Sequence, residues 1–161
     1  SKYILKNNNL KFPLTSSALK INNKMPLNIF SRIKKYFLGK LKRKKILILG
    51  LAYKEGVADT RKSPTETLFN NLEQERAIVD LHDPLVKFWP EKNLEVKKNF
   101  PNLGNYDVIV IAVMNEAYKK INFEYLNKIR KRLLIFDTVN LFKEKKYLKL
   151  KKNIKIISVG K

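Results

Sequence analysis

Two hydrophobic periods divide the chain. Over residues 14–37, apolar side chains recur every three or four positions, at Leu14, Ala18, Ile21, Met25, Ile29, Ile33 and Phe37. That is the spacing of one helix face. Pro26 falls inside the run. A proline inside a helix removes a backbone donor and crowds the preceding turn, so a kink or break is expected there. The stretch KNNNLKFP, residues 6–13, reads as a turn. A helical arm of this length has too few partners of its own to fold alone. Its stripe must pack on the following domain, on a further domain or on a second copy of the chain.

From Lys44 onward, apolar runs alternate with helical patterns. KILILGL (45–51) is continuously apolar, as in a strand covered on both faces. SPTETLFNNLEQE (63–75) opens with a helix-start signal: Ser63 as cap, Pro64 at the first helical position and Glu66 to complete a capping box. AIVDLHDP (77–84), YDVIVIAVM (106–114), LLIFDT (133–138) and NIKIISVG (153–160) read as further strands, and NFEYLNKIR (122–130) as a short helix. Between them, 86–104 holds Trp89, Pro90 and Pro101 and one short strand near Leu94–Val96. Strands separated by helices imply a Rossmann-like, doubly wound, mostly parallel α/β sheet, preceded by the helical arm. The expected division is an arm over 1–43 and a sheet domain over 44–161.

Composition narrows the chemistry. The 161 residues are 44% apolar, enough to bury a core. No apolar stretch approaches the length that spans a bilayer, and the N-terminus has no secretory pattern, so no membrane partner is expected. Cysteine is absent, which leaves no disulfide, thiolate ligand or thiol nucleophile in this chain and fits a reducing, cytoplasmic compartment. One histidine, His82, excludes a multi-histidine metal site, and no metal is expected. The net charge of +21 points towards nucleic acid. However, 29 of the 35 basic residues are lysine, and asparagine numbers 17, the mark of a biased composition. The lysines are spread along the length, with clusters at 40–45 and 143–152. Neither arginine forks for bases nor aromatic platforms among basic residues are evident, so the charge reads as a solvated surface and nucleic acid is not the expected partner.

In such sheets ligands sit beyond the carboxyl ends of the strands. Polar residues gather there: Lys54, Asp59 and Arg61 after the first strand, Asp83 after the second, Asn115 and Glu116 after the third, Asp137, Thr138 and Asn140 after the fourth. The helix starting at Pro64 aims its N-terminus at the same place, so an anion, most simply a diphosphate, is expected. Lys54 and Arg61 are expected to contact it together. Asp59 also reads as an ion pair to Arg61 or as a turn-forming contact to nearby backbone, and Asp83 as a turn residue before Pro84. The dinucleotide pattern G-x-G-x-x-G is missing: after Gly50 come Leu51, Ala52 and Tyr53, whose side chains obstruct a pyrophosphate. The turn is long, with a dozen residues between Gly50 and Ser63. Long ordered turns at this place are usually functional.

These residues resemble a known family. LGLAYKEGVADTRKSP (49–64) is similar to the signature turn of the UDP-glucose/GDP-mannose dehydrogenase family, with Gly50, Leu51, Lys54, Asp59, Arg61, Ser63 and Pro64 in register. INNKMP (21–26) resembles its central-helix segment, HDP (82–84) its second-strand end, and YDVIVIAV (106–113) and IFDTVN (135–140) its later strands. The resemblance covers about residues 14 to 142. It implies a nucleotide-sugar 6-dehydrogenase that makes UDP-uronic acids for polysaccharide synthesis by NAD-dependent oxidation through a cysteine thioester. This chain looks like the C-terminal UDP-sugar-binding domain with part of the central dimerisation helix, so a homodimer through the arm is implied. An N-terminal domain holds most of the NAD in the family. Tyr53 and Lys54 match residues that touch the sugar nucleotide, and Arg61 matches one that reaches towards NAD. No residue of this chain matches a catalytic one. Thr138-Val139 stand where many members have glycine and arginine, so a substrate contact made by that arginine is missing or supplied elsewhere. A stand-alone nucleotide-binding or regulatory module is the first alternative, and a basic nucleic-acid-binding protein the second.

Overall fold

The computed structural model describes residues 13–159, with side chains from residue 24 onward. The expected turn over 6–13 lies almost wholly outside the described residues, as do the side chains of Leu14, Ala18 and Ile21. Helix α1 runs Pro13–Tyr36 and passes through Pro26 without a break. The lost hydrogen bond at Pro26 is offset by packing, since Pro26 itself is buried.

Five strands form one parallel sheet: β1 (Lys45–Leu49), β2 (Ile78–His82), β5 (Val108–Ile111), β6 (Leu133–Asp137) and β7 (Ile154–Ser158), in the order β2-β1-β5-β6-β7. The expected strand near Leu94 is half of a hairpin, with β3 (Phe88–Trp89) pairing antiparallel to β4 (Leu94–Glu95). Helices α2 (Pro64–Gln74) and α3 (Phe123–Lys128) connect the parallel strands, and a 3-10 turn at Glu116–Lys120 precedes α3.

The continuous apolar runs became the interior strands. Every residue of β5 and β6 is buried, and so is β1 after Lys45. The edge strand β2 is only half covered: Ile78 is exposed, while Asp80 accepts a hydrogen bond from the Tyr106 hydroxyl. Alternation splits the core. Ile46, Ile48, Val108, Val110, Leu134 and Phe136 face α1 and α2. Leu47, Leu49, Ile109, Ile111, Leu133 and Ile135 face α3 and the 3-10 turn. Trp89, fully buried, anchors the hairpin edge-on against Phe69 of α2.

The stripe of α1 does not lack cover from its own domain. Ile29 and Ile33 are buried on the sheet beside α2, and Leu41 joins the same cluster. Ile33→Ala should therefore cost about 2–5 kcal/mol, as for a buried aliphatic truncation. Urea denaturation checks this; a change below about 1 kcal/mol would mean that α1 is not part of the core.

Candidate functional site

The strand order places a topological switch point between β1 and β5, where the chain leaves β1 to one side of the sheet and β5 to the other. The turn after β1 is fixed by backbone pairing. The Gly50 N–H donates to the His82 carbonyl at 2.9 Å. Gly50 has φ +93°, and a Cβ there would lie 2.6 Å from the Val113 nitrogen. This glycine serves the approach of two turns, and that needs both its backbone freedom and its missing side chain.

The next two amides are consumed internally. The buried Asp83 carboxylate accepts from Leu51 N–H at 2.8 Å and Ala52 N–H at 3.3 Å through one oxygen, and from Leu85 N–H at 2.9 Å through the other. Asp83 is thus the turn residue expected before Pro84, and it also fills the place a bound anion takes in a glycine-rich cradle. Asp137, fully buried, does the same after β6, accepting from Val139, Leu141 and Phe142 N–H. Asn115 caps its own turn by accepting from Ala117 N–H.

The start of α2 carries three corrections. Ser63 is the cap, but its hydroxyl accepts from Thr65 N–H. The capping box is not closed: the Ser63 N–H is already bonded to the Thr60 carbonyl, and Glu66 turns to Lys92 at 3.4 Å. Nor does the helix present free N–H groups at its first turn. Pro64 has none, and the Glu66 N–H goes to the Ser63 carbonyl. Only the helix dipole remains to favour an anion there.

A cavity of about 450 Å³ opens at the switch point. That is within the range of roughly 300–1,000 Å³ typical of small-molecule sites. Met25, Pro26 and Ile29 of α1 form one wall, Pro64, Thr65 and Leu68 of α2 another, and Ala112, Val113 and Met114 after β5 the floor. Tyr53, Lys54 and Glu55 stand at one side, Thr138 and Val139 at the other. The Thr138 hydroxyl is committed to the Ile111 carbonyl at 2.8 Å. Tyr53 and Lys54 are both exposed, and Lys54 is the only cationic side chain lining this cavity among the described residues.

The expectation that Lys54 and Arg61 act on one ligand together is not met by the geometry. Arg61 does not line the cavity. Its guanidinium forks onto Asp59 at 2.9 and 2.7 Å, and its backbone N–H donates to the same carboxylate. Both readings of Asp59, the ion pair and the turn-forming contact, are observed. The apolar walls from α1 were not nominated from sequence; the helical spacing of Met25 and Ile29 marked them as core, without showing that one end of the stripe reaches a ligand cavity.

A parallel sheet of this order, with its cavity at the switch point, belongs to the Rossmann-like class of α/β folds. A family model for the "UDP-glucose/GDP-mannose dehydrogenase family, UDP binding domain" matches residues 47–144, and the chain belongs to that family. It is 30% identical over 145 residues to UDP-glucose 6-dehydrogenase of Rickettsia conorii, covering 86% of this chain and 33% of that protein. It is 28% identical over 159 residues to UDP-N-acetyl-D-mannosamine dehydrogenase of Methanococcus vannielii, covering 96% of this chain and 36% of the relative. Among solved structures, the NDP-N-acetyl-D-galactosaminuronic acid dehydrogenase of Methanosarcina mazei superposes with a TM-score of 0.75 at 23% identity, over 99% of this chain and 34% of that one. The chain spans about a third of the length of the relatives it matches.

The Arg61 fork pushes the Asp59 carboxyl down to about 2, chiefly through its side-chain hydrogen bonds. The contribution of this pair to stability is therefore present above the ordinary aspartate range near pH 4 and lost as pH falls through about 2. Carboxyl NMR titration should place Asp59 near 2, and Arg61→Ala should return it towards its ordinary value of 3.8. An unchanged titration in the variant would show that the fork does not form in solution.

Proposed function

We propose that this chain is the UDP-sugar-binding domain of an NAD-dependent nucleotide-sugar 6-dehydrogenase acting in the cytoplasm, whose product is a UDP-uronic acid used in polysaccharide synthesis. The carrying observation is that Lys54 stands at the mouth of the switch-point cavity while the Leu51, Ala52 and Thr65 amides near it are bonded within the protein. An anion bound there is recognised by a side chain and not by a backbone cradle. Lys54 meets the diphosphate, Tyr53 lies over the sugar nucleotide, and the apolar wall of Met25, Ile29 and Val113 takes the flatter, less polar part of the ligand. Val139 leaves the far wall without a cation, so the sugar is held on that side by shape.

The residues of this chain do not fit a primary NAD site. The turn after β1 keeps only Gly50 at a fingerprint position, and the two amides that a pyrophosphate would use are bonded to Asp83. Most of the NAD and the reactive cysteine then belong to an N-terminal domain, and Arg61, exposed and paired with Asp59 at 2.7 Å, would leave that pair to reach towards the cofactor. Residues 1–43 are taken as the arm, part of the central dimerisation helix, and 44–161 as the nucleotide domain. Light scattering of the chain should then show a dimer or concentration-dependent association, and a strictly monomeric species at high concentration would remove the arm's role in assembly.

Lys54→Ala should weaken UDP or UDP-sugar binding about tenfold or more, the scale of a lost charge-assisted contact. Equal affinities by titration calorimetry would sink the assignment of this cavity. Oxidation through a thioester needs a thiol, and the chain has no cysteine. Mixed with UDP-glucose, related UDP-sugars and NAD, the 161-residue chain should produce no NADH; steady production would require a different mechanism.

A further inference from the structure

A parallel sheet is entered from one side by every strand, so whatever precedes each strand collects at a single pole. Basic runs precede three of the five strands: LKRK (41–44) before β1, IRKR (129–132) before β6 and LKKN (150–153) before β7. Arg76 precedes β2 and adds to them. Charges that look dispersed along the sequence are thereby concentrated at the end of the sheet opposite the candidate cavity. Four of the six arginines are here: Arg43, Arg76, Arg130 and Arg132. Of the acids there, Glu75 is paired with Lys34 at 2.6 Å, and Asp107 with Lys131 at 2.9 Å.

The local geometry holds cations forward. The Arg43 N–H donates to the Arg76 carbonyl, which sets these two exposed arginines side by side. Both occupy the left-handed region, at φ 63° and 59°. Side chains other than glycine, asparagine and aspartate are strained there, and such outliers cluster at functional places. Neither arginine has an ion-pair partner among the described residues. At the tip of the turn after α1, Leu38 has φ 51° and is 84% exposed. Beside it, Tyr36, Phe37, Lys44 and Arg132 line a cleft of about 500 Å³.

We propose that this pole is a docking face for an anionic phospholipid surface, with Leu38 entering the headgroup layer inside a ring of lysines and arginines. A bare leucine among cations matches a surface that is negative outside and apolar beneath. It gives nothing to a nucleic-acid backbone. Tyr36, the exposed aromatic at this pole, meets Phe37 edge-on and has Lys155 over its ring, so it does not offer an open platform to a stacked base.

Vesicle co-sedimentation tests the face, with phosphatidylcholine alone and with phosphatidylglycerol added. The chain should partition onto the anionic vesicles and not the neutral ones, and Arg43→Glu with Arg132→Glu should weaken this about tenfold or more. Leu38→Asn, which suits the left-handed turn and preserves the charge, should weaken it about threefold or more. UDP binding, at the other pole, should survive in each variant and reports that they fold. The control is Lys87→Glu with Lys98→Glu, an equal charge change at exposed lysines around the hairpin. If the control weakens partition as much, or if Leu38→Asn changes nothing, net charge alone is at work and the proposal fails. Binding to a DNA duplex but not to anionic vesicles, lost on the Arg43 and Arg132 reversals, would make the partner nucleic acid and overturn it.

Discussion

The carboxylate of Asp83 sits where three backbone donors converge, and the carboxyl side of the sheet takes its shape from that convergence. Leu51 and Ala52 leave β1, Leu85 leaves β2, and one buried side chain ties both exits. A buried carboxylate is tolerated only when its oxygens are hydrogen-bonded, so the tie works in both directions. The charge needs the amides, and without the charge the amides would be left open in the core. Because the tie lies one residue beyond the Gly50 approach to Val113, the turns after β1, β2 and β5 are set relative to one another before any ligand is considered.

That arrangement divides the molecule into two ends of different character. At the carboxyl end, Asp83, Asp137 and Asn115 turn inward to serve their own turns, and the cavity beside them is mostly apolar with one lysine. At the amino end, Lys42, Arg43, Arg76, Arg130, Lys131, Arg132, Lys151 and Lys152 are exposed around buried Leu41, Tyr106 and Ile129. Both follow from parallel pairing, which gives each end of the sheet a single kind of connection.

Much of the fold was legible in the sequence. The interior strands β1, β5 and β6 announced themselves as unbroken apolar runs, because burial on both faces leaves no room for alternation. The start of α2 was read from Ser63 and Pro64, while the role of Glu66 was misread because a competing bond from Ser63 N–H to Thr60 is invisible without the loop's path. Of the kink or break expected at Pro26, the break did not occur, since local propensity yields where tertiary packing holds the helix on the sheet. The hairpin between β2 and β5 was half seen: two-residue strands carry too little pattern, and its anchor is a single Trp89. At the site, residue type and position pointed to Lys54 and Arg61, and the family resemblance added Tyr53, but no spacing rule could tell that Arg61, seven positions on from Lys54, would turn away onto Asp59.

The cavity at the switch point draws its walls from five separate segments, and the Tyr53, Thr65 and Val139 amides among them are already bonded within the protein. A change at Val139 or Tyr53 therefore alters what fits without disturbing what folds. A domain built this way can be retuned one substitution at a time.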